Sequence, residues 1–89
     1  MYKVYMIKNP RGRLYIGVTE NLQKRVIYHN TRQGARFTRD GRYKIVFRES
    51  YETPAAARKR EIQLKKWSRK KKEMLINRFK VGLITKINA

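Results

Sequence analysis

Clusters of β-branched and aromatic residues predict three strands in the chain. Residues 2–8 combine tyrosine, valine and isoleucine with lysine, residues 14–18 read Leu-Tyr-Ile-Gly-Val, and residues 43–49 read Tyr-Lys-Ile-Val-Phe-Arg-Glu. Short runs of this composition, bounded by turn residues, are typical of strands. The segment between the first two runs contains Pro10 and Gly12, which favour a tight turn. We therefore expect an antiparallel hairpin followed by a third strand.

The first helix is predicted from apolar residues at helical spacing. Leu22, Val26 and His29 lie at i, i+4 and i+7, so they share one face of a helix that runs to about residue 30. Thr19 and Asn21 both precede this segment, and either side chain can cap exposed backbone amides. The residues that follow, 31–42, are rich in Gly, Arg, Thr and Asp and are expected to form a loop.

Two more helices are predicted in the second half. Thr53 can cap a helix, Pro54 suits the first helical position, and residues 54–67 are good helix formers. Ser68 indicates a break or a new cap before a helix over 69–78. The whole pattern predicts an α+β domain with a small three-stranded antiparallel sheet flanked by about three helices.

Length and composition indicate one folded domain over 1–89. The chain has 89 residues and 40% hydrophobic residues, enough for a single compact core. We place that core at about 2–78 and leave the tail, 79–89, unassigned. The chain contains no cysteine, so disulfides are excluded.

The charge of the chain indicates a polyanionic partner. Twenty-four Lys and Arg residues against six Asp and Glu give a formal net charge of +18. Nucleic acid fits best, because neutralised phosphates release condensed counterions; DNA is expected, with RNA as an alternative. A structural protein that coats RNA without chemistry has the same composition. No membrane span or signal peptide is apparent, so we expect the protein in the cytoplasm or at the nucleoid.

One carboxylate lies on the apolar side of the second predicted helix. The stripe at i, i+4, i+7 and i+11 consists of Ala57, Glu61, Leu64 and Ser68. A buried carboxylate needs a cation, a metal or hydrogen bonds, and magnesium accepts one or two carboxylates while keeping its waters. The alternative is an ordinary surface ion pair of Glu61 with Lys65 or Arg58.

Several other side chains are candidates for phosphate chemistry. Arg25 lies at the edge of the inward face of the first helix, and its planar fork of donors matches a phosphate. Taken singly, Arg25 is more simply interpreted as an ordinary surface charge, and His29 as a structural, hydrogen-bonded histidine. Tyr5 and Tyr15 lie on neighbouring strands and would usually be core residues.

The order of these residues resembles the signature of the GIY-YIG nuclease superfamily. The matching positions are Tyr5, Tyr15-Ile16-Gly17, Arg25, His29 and Glu61. The short single-domain bacterial branch, the UPF0213 group, is the most similar, over roughly residues 2–78. The first motif departs from the family pattern, because it reads Lys-Val-Tyr where the family has Gly-Ile-Tyr. Asn77 directly follows Leu-Ile in the last helix, near where the family often has an asparagine.

The resemblance implies an endonuclease that hydrolyses phosphodiester bonds with a divalent cation, Mg²⁺ or Mn²⁺, bound through Glu61. Arg25 would hold the phosphate and Tyr15 would take the proton from the attacking water. Tyr5 would orient the water or phosphate, and His29 would accept the tyrosine proton or position the phosphate.

The basic loop is a further candidate for nucleic-acid contact. It contains Arg36, Thr38 and Arg39, which suit phosphate binding; we add Lys24 to this set. The alternative is an exposed basic loop without a specific role. Because no targeting domain is apparent, we expect a preference for DNA structure rather than sequence, in DNA repair or processing. The rival function is a binding module with the same fold that does not cut.

Overall fold

The computed structural model describes residues 1–30 and 42–87. Within them the chain forms three strands and three helices: β1 (Tyr2–Lys8), β2 (Leu14–Thr19), α1 (Leu22–Asn30), β3 (Lys44–Tyr51), α2 (Pro54–Lys66) and α3 (Arg69–Lys80). This confirms the α+β class and every predicted strand and helix, whose ends differ from the expected ones by one or two residues; the loop predicted over 31–42 lies, except for its last residue, outside the described residues. No helix of the described segments is long and apolar enough to cross a lipid bilayer.

The sheet is antiparallel, with strand order β2-β1-β3. In the hairpin, Tyr5 pairs with Gly17 and Ile7 pairs with Tyr15. Alternate residues of a strand point to the same face, so Tyr5 and Tyr15 share one face of the sheet. The turn is stabilised by the side-chain oxygen of Asn9, which accepts hydrogen bonds from two backbone amides of the turn.

Each face of the sheet packs against different helices. Val4 and Met6 of β1 belong to a core that includes Ala57 and Leu64 of α2 and Leu75 of α3. The alternate residues of β1 belong to a second core on the other face. That core consists of Tyr5, Ile7, Leu22 and Tyr43, with Tyr15, Val26 and Ile45 packed against it. The sheet therefore lies between α1 on one face and α2 with α3 on the other.

The helix starts follow the predicted capping chemistry. The Asn21 side chain accepts a hydrogen bond from the Lys24 amide at 3.0 Å, so Asn21 rather than Thr19 caps α1. Thr53 accepts from the Ala56 amide at 3.2 Å, and Ser68 accepts from the Lys71 amide at 3.2 Å. Ser68 thus begins a new helix, which sets the direction of α3.

The segment after α3, for which the sequence made no assignment, packs back against the domain. Arg60 of α2 donates to the carbonyl of Thr85 at 2.8 Å and to that of Ile87 at 2.9 Å. Lys86 donates to the carbonyl of Ser50 at 2.9 Å. A buried arginine of α2 therefore anchors residues 85–87 to the body of the protein.

Candidate active site

Three predicted site residues, from three different elements, meet on the α1 face of the sheet. The Tyr5 hydroxyl of β1 lies 3.1 Å from Nε2 of His29 in α1. The Tyr15 ring of β2 lies with its centroid 4.4 Å from that of His29 and 6.2 Å from that of Tyr5. Tyr5 and His29 are each 1% exposed, whereas Tyr15 is partly exposed. The structure thus brings together Tyr5, Tyr15 and His29, with only Tyr15 accessible to solvent.

Gly17 permits this arrangement. A Cβ at position 17 would lie 2.6 Å from the Tyr5 hydroxyl oxygen and 2.8 Å from the ring carbon that carries it. Contacts that short do not occur, so any larger residue would displace the Tyr5 ring from its path across β2. The glycine of the Tyr-Ile-Gly motif therefore has a packing role in this chain.

Burial keeps both members of the Tyr5–His29 hydrogen bond uncharged. Burial raises the pKa of Tyr5, and the neighbouring Tyr15 raises it further; the charge of Arg25 lowers it, and Glu61 raises it by a smaller amount. Burial, followed by the positive charge of Arg25, lowers the pKa of His29. At neutral pH the tyrosine is therefore a phenol and the histidine a neutral imidazole.

Glu61 is buried in α2, and its ion-pair partners among the described residues are exposed cations. The residue is 6% exposed, on the inward face of the helix with Ala57 and Leu64. Its Oε2 lies 3.1 Å from Nζ of Lys65, and its Oε1 lies 3.4 Å from a guanidinium nitrogen of Arg58. The Arg58 contact lacks hydrogen-bond geometry, so the buried Oε1 has no hydrogen bond among the described residues. Both sequence interpretations hold in part, since Glu61 is buried and also paired with the two expected cations.

This donor set suits a metal held by a single carboxylate. The described residues contain no group of three or more His, Cys, Asp or Glu side chains that would form an all-protein site. Magnesium is commonly bound by one or two carboxylates, with water and substrate phosphates completing its octahedron. A buried charge is stabilised by pairing or by coordinating a metal, and Oε1 of Glu61 has no hydrogen bond among the described residues, so it could serve as a ligand to such an ion.

Lys65 connects Glu61 to Tyr15. A cavity of about 200 Å³ is lined by Tyr15 and its strand neighbours, by Lys65 of α2 and by Lys72 of α3. The sequence interpretation treated Lys65 only as a possible ion-pair partner and did not single out Lys72. The i, i+4 spacing of Lys65 from Glu61 was the available signal, whereas the position of Lys72 depends on how α3 packs.

Arg25 and Lys24 lie exposed on α1. Both line a cavity of about 280 Å³ that also includes Tyr28. The Arg25 guanidinium lies 5.5 Å from the centroid of the Tyr28 ring. Although Arg25 itself is exposed, its charge alters the pKa of both Tyr5 and His29, as stated above, so it lies within electrostatic reach of the cluster.

The remaining predicted residues do not join this cluster within the described structure. Asn77 is exposed on α3, where its backbone carbonyl accepts a hydrogen bond from Val81 at 3.1 Å. Arg36, Thr38 and Arg39 lie outside the described residues, so their proposed nucleic-acid contacts stay predictions.

Similarity to known proteins covers most of the chain. Residues 1–74 match the family model described as the GIY-YIG catalytic domain. The chain is 40% identical over 75 residues to a UPF0213 protein of Staphylococcus saprophyticus, across 83% of this chain and 92% of that protein. It is 37% identical over 78 residues to a UPF0213 protein of Bacillus pumilus, across 86% and 80%. The solution NMR structure of the UPF0213 protein from Bacillus halodurans has a TM-score of 0.56 at 30% identity, covering 86% and 84% of the two chains.

Proposed function

The chain belongs to the GIY-YIG family, and from that premise we propose that it is a divalent-metal-dependent endonuclease that hydrolyses phosphodiester bonds in DNA. We further propose that it selects DNA structure rather than sequence, as a branched, nicked or single-stranded site, and acts in DNA repair or processing in the cytoplasm or at the nucleoid. The observation that carries the proposal is Glu61, a buried carboxylate with one oxygen that has no hydrogen bond within residues 1–30 and 42–87, and whose partner Lys65 lines the same cavity as Tyr15.

Glu61 is the residue that would hold Mg²⁺ or Mn²⁺, through Oε1. When bound, such a cation supplies positive charge that stabilises the leaving oxygen and the nonbridging oxygens of the phosphate. Lys65 and Arg58 are both exposed, so they can turn from Glu61 toward solvent without leaving a buried charge of their own. The carboxylate is therefore neutralised in the resting protein by cations that a metal can replace.

Tyr15 is the proposed general base, and Tyr5 and His29 position it. The Tyr5 phenol is buried and hydrogen-bonded to His29, which makes Tyr5 unsuited to removing a proton from water. Tyr15 is partly exposed at the cavity that also contains Lys65 and Lys72. In the proposed step the Tyr15 hydroxyl first gives its own proton to solvent. Water then attacks phosphorus and its proton passes to the Tyr15 oxygen, while the phosphorus–oxygen bond to the leaving strand breaks and the leaving oxygen takes a proton from solvent.

The two cations of α1 and the two lysines of the cavity would bind the substrate phosphates. Arg25 presents a planar fork that suits one phosphate, and Lys24 is a point charge beside it. Preorganised cations of this kind stabilise the charge that develops in phosphoryl transfer. The substrate backbone would then run from α1 across Tyr15 toward α2 and α3.

The proposal is tested by incubating the purified protein with a panel of labelled linear, nicked, single-stranded and branched DNA. Reactions contain magnesium, manganese or a chelator, with Glu61→Ala and Tyr15→Phe alongside the natural chain. We expect cutting that requires metal and is lost in both variants. Binding of the whole panel without cutting under any metal, unchanged in the variants, would instead make the protein a non-catalytic binding module.

A further inference from the structure

A second basic groove lies on the far flank of α2. Its volume is about 750 Å³, and it is lined by Tyr51 at the end of β3, by Lys86 of the C-terminal segment and by one side of α2. The α2 side chains that define it are Lys59, Ile62, Gln63 and Lys66. None of the described residues that line the groove is acidic.

The groove and the candidate active site lie on opposite sides of α2. With 3.6 residues per turn, Lys59 and Lys66 project about 140–160° around the helix axis from Glu61. The sheet shows the same separation, because Tyr15 is on edge strand β2 and Tyr51 is on the opposite edge strand β3. One ligand surface cannot include both regions without passing over α2.

The net charge of the groove comes from its lysines. Arg60 also lines it, but its guanidinium is paired with Glu49. Lys59 and Lys66 are exposed, and Nζ of Lys86 lies 4.3 Å from the centroid of the Tyr51 ring. Within the part of the chain that the structure describes, these lysines form no salt bridge, and such cations in a chain of net charge +18 favour an anionic occupant.

The spacing of the lysines indicates a phosphate chain rather than a single small anion. Lys59 and Lys66 are seven residues apart, about 10 Å along the helix. One strand of duplex DNA carries a phosphate about every 3.4 Å along the axis, so these lysines match separate phosphates of one strand. Ile62 lies between them and is 48% exposed, which gives the sugar and base edges an apolar surface.

We propose that this groove, here called the α2 groove, binds the sugar-phosphate backbone of a second arm of the nucleic acid substrate. The proposal rests on the proposed nuclease function and deepens it. A branched DNA would place the arm to be cut at Tyr15 and Glu61 while another arm occupies the α2 groove. A linear duplex would fill only one of these surfaces, so the fold itself would select a branched substrate.

The test is the salt dependence of DNA binding, measured in chelator so that no cutting occurs. Lys59→Gln with Lys66→Gln is compared with Lys70→Gln with Lys80→Gln, which removes two equally exposed charges from α3. The slope of log affinity against log salt reports the number of phosphates contacted, at about 0.9 per contact. For a four-way junction we expect the α2 pair to reduce the magnitude of this negative slope by about 1.8, and the α3 pair to leave it unchanged.

Equal slopes for the two pairs would overturn the proposal. So would DNA binding that is unaffected while binding of polyglutamate weakens, because the groove would then fit an acidic protein segment. Unfolding midpoints confirm that both double variants are folded.

Cutting assays in magnesium separate this proposal from the nuclease proposal. If the natural chain cuts DNA but the salt slope of the Lys59→Gln, Lys66→Gln variant is unchanged, only the proposed role of the α2 groove is excluded. If that slope changes but the natural chain does not cut DNA, only the proposed nuclease function is excluded.

Discussion

Glu49 and Glu61 are both buried carboxylates, 5% and 6% exposed, yet their surroundings differ. Glu49 accepts hydrogen bonds from Nε of Arg60 at 3.0 Å, from a second guanidinium nitrogen at 3.2 Å, and from the Tyr51 hydroxyl at 2.7 Å. Arg60 is itself buried at 7% exposure, and its remaining donors bind Gln63 and two backbone carbonyls. The Glu49 network is therefore complete and has a structural role.

The surroundings of Glu61 are incomplete. Its partners Arg58 and Lys65 have side chains that are 70% and 54% exposed, and its Oε1 has no hydrogen bond among the described residues. A buried charge is tolerated only with thorough pairing. The difference shows that Glu49 has a complete set of buried partners, whereas Glu61 is the carboxylate that we propose as the site of an exchangeable cation.

The largest expected effect is a difference in the free energy of unfolding between variants of Glu49 and of Glu61. Glu49→Gln leaves the buried Arg60 without its charge partner, so the free energy of unfolding should fall by about 3–5 kcal/mol. Glu61→Gln loses only contacts with exposed cations, and its unfolding free energy should change by less than about 1 kcal/mol. Urea denaturation of both variants measures the difference. Equal losses, or a larger loss for Glu61→Gln, would contradict the comparison.

The next effect is on the cutting rate, and it concerns the tyrosines of the candidate active site. Tyr15→Phe should lower the cutting rate by at least about 100-fold, because a general base contributes that much or more. Its stability should hardly change, because Tyr15 is partly exposed.

Tyr5→Phe should instead destabilise the fold by about 1 kcal/mol through loss of the hydrogen bond to His29. Single-turnover cutting and unfolding of both variants test this, and a fully active Tyr15→Phe would exclude Tyr15 as the base.

A smaller effect tests whether the charge of Lys65 competes with the metal for the Glu61 carboxylate. Lys65→Met removes a cation 3.1 Å from Glu61, which at high dielectric is worth about 1 kcal/mol. Manganese should therefore bind about fivefold more tightly. Lys66→Met is the matched control, because the neighbouring lysine lines the α2 groove and should leave manganese affinity unchanged. Weaker manganese binding in Lys65→Met would show that Lys65 supports the site instead.

The smallest expected effect is a pH dependence that belongs to the tyrosine cluster and not to the Glu49 network. Burial lowers the pKa of His29 below its ordinary value of 6.5, so the unfolded chain takes up the proton first as the pH falls. The contribution to stability is complete above pH 6.5 and declines below it, by at most about 1.4 kcal/mol per pH unit. His29 is the only histidine in the chain. His29→Asn should remove the decline just below pH 6.5, and its persistence would contradict the assignment.

Local signals in the sequence were enough to predict the elements. Capping residues such as Thr53 and Ser68, and the β-branched and aromatic composition of β1, are local signals, and the structure confirms the elements they predict. The family resemblance implied roles for Tyr5, Tyr15 and His29, and these roles stay predictions; the structure adds that the three side chains lie together. The Gly17 contact explains one motif position that spacing alone could not.

Contacts between distant segments were not predictable. Arg60 is one of twenty-four basic residues and resembles the others in sequence. Only the packing of α2 against β3 and the C-terminal segment brings it to Glu49. The α2 groove has the same origin, since Lys59 and Lys86 become neighbours only in the fold.

The central claim is that Glu61 binds a divalent cation, and manganese binding followed by electron paramagnetic resonance tests it without any nuclease assay. The natural chain is compared with Glu61→Gln and with Glu73→Gln, whose carboxylate is already paired with Lys8 and Arg69. We predict one manganese ion per chain in the natural protein and in Glu73→Gln, and its loss in Glu61→Gln. Unchanged manganese binding by Glu61→Gln would contradict the claim.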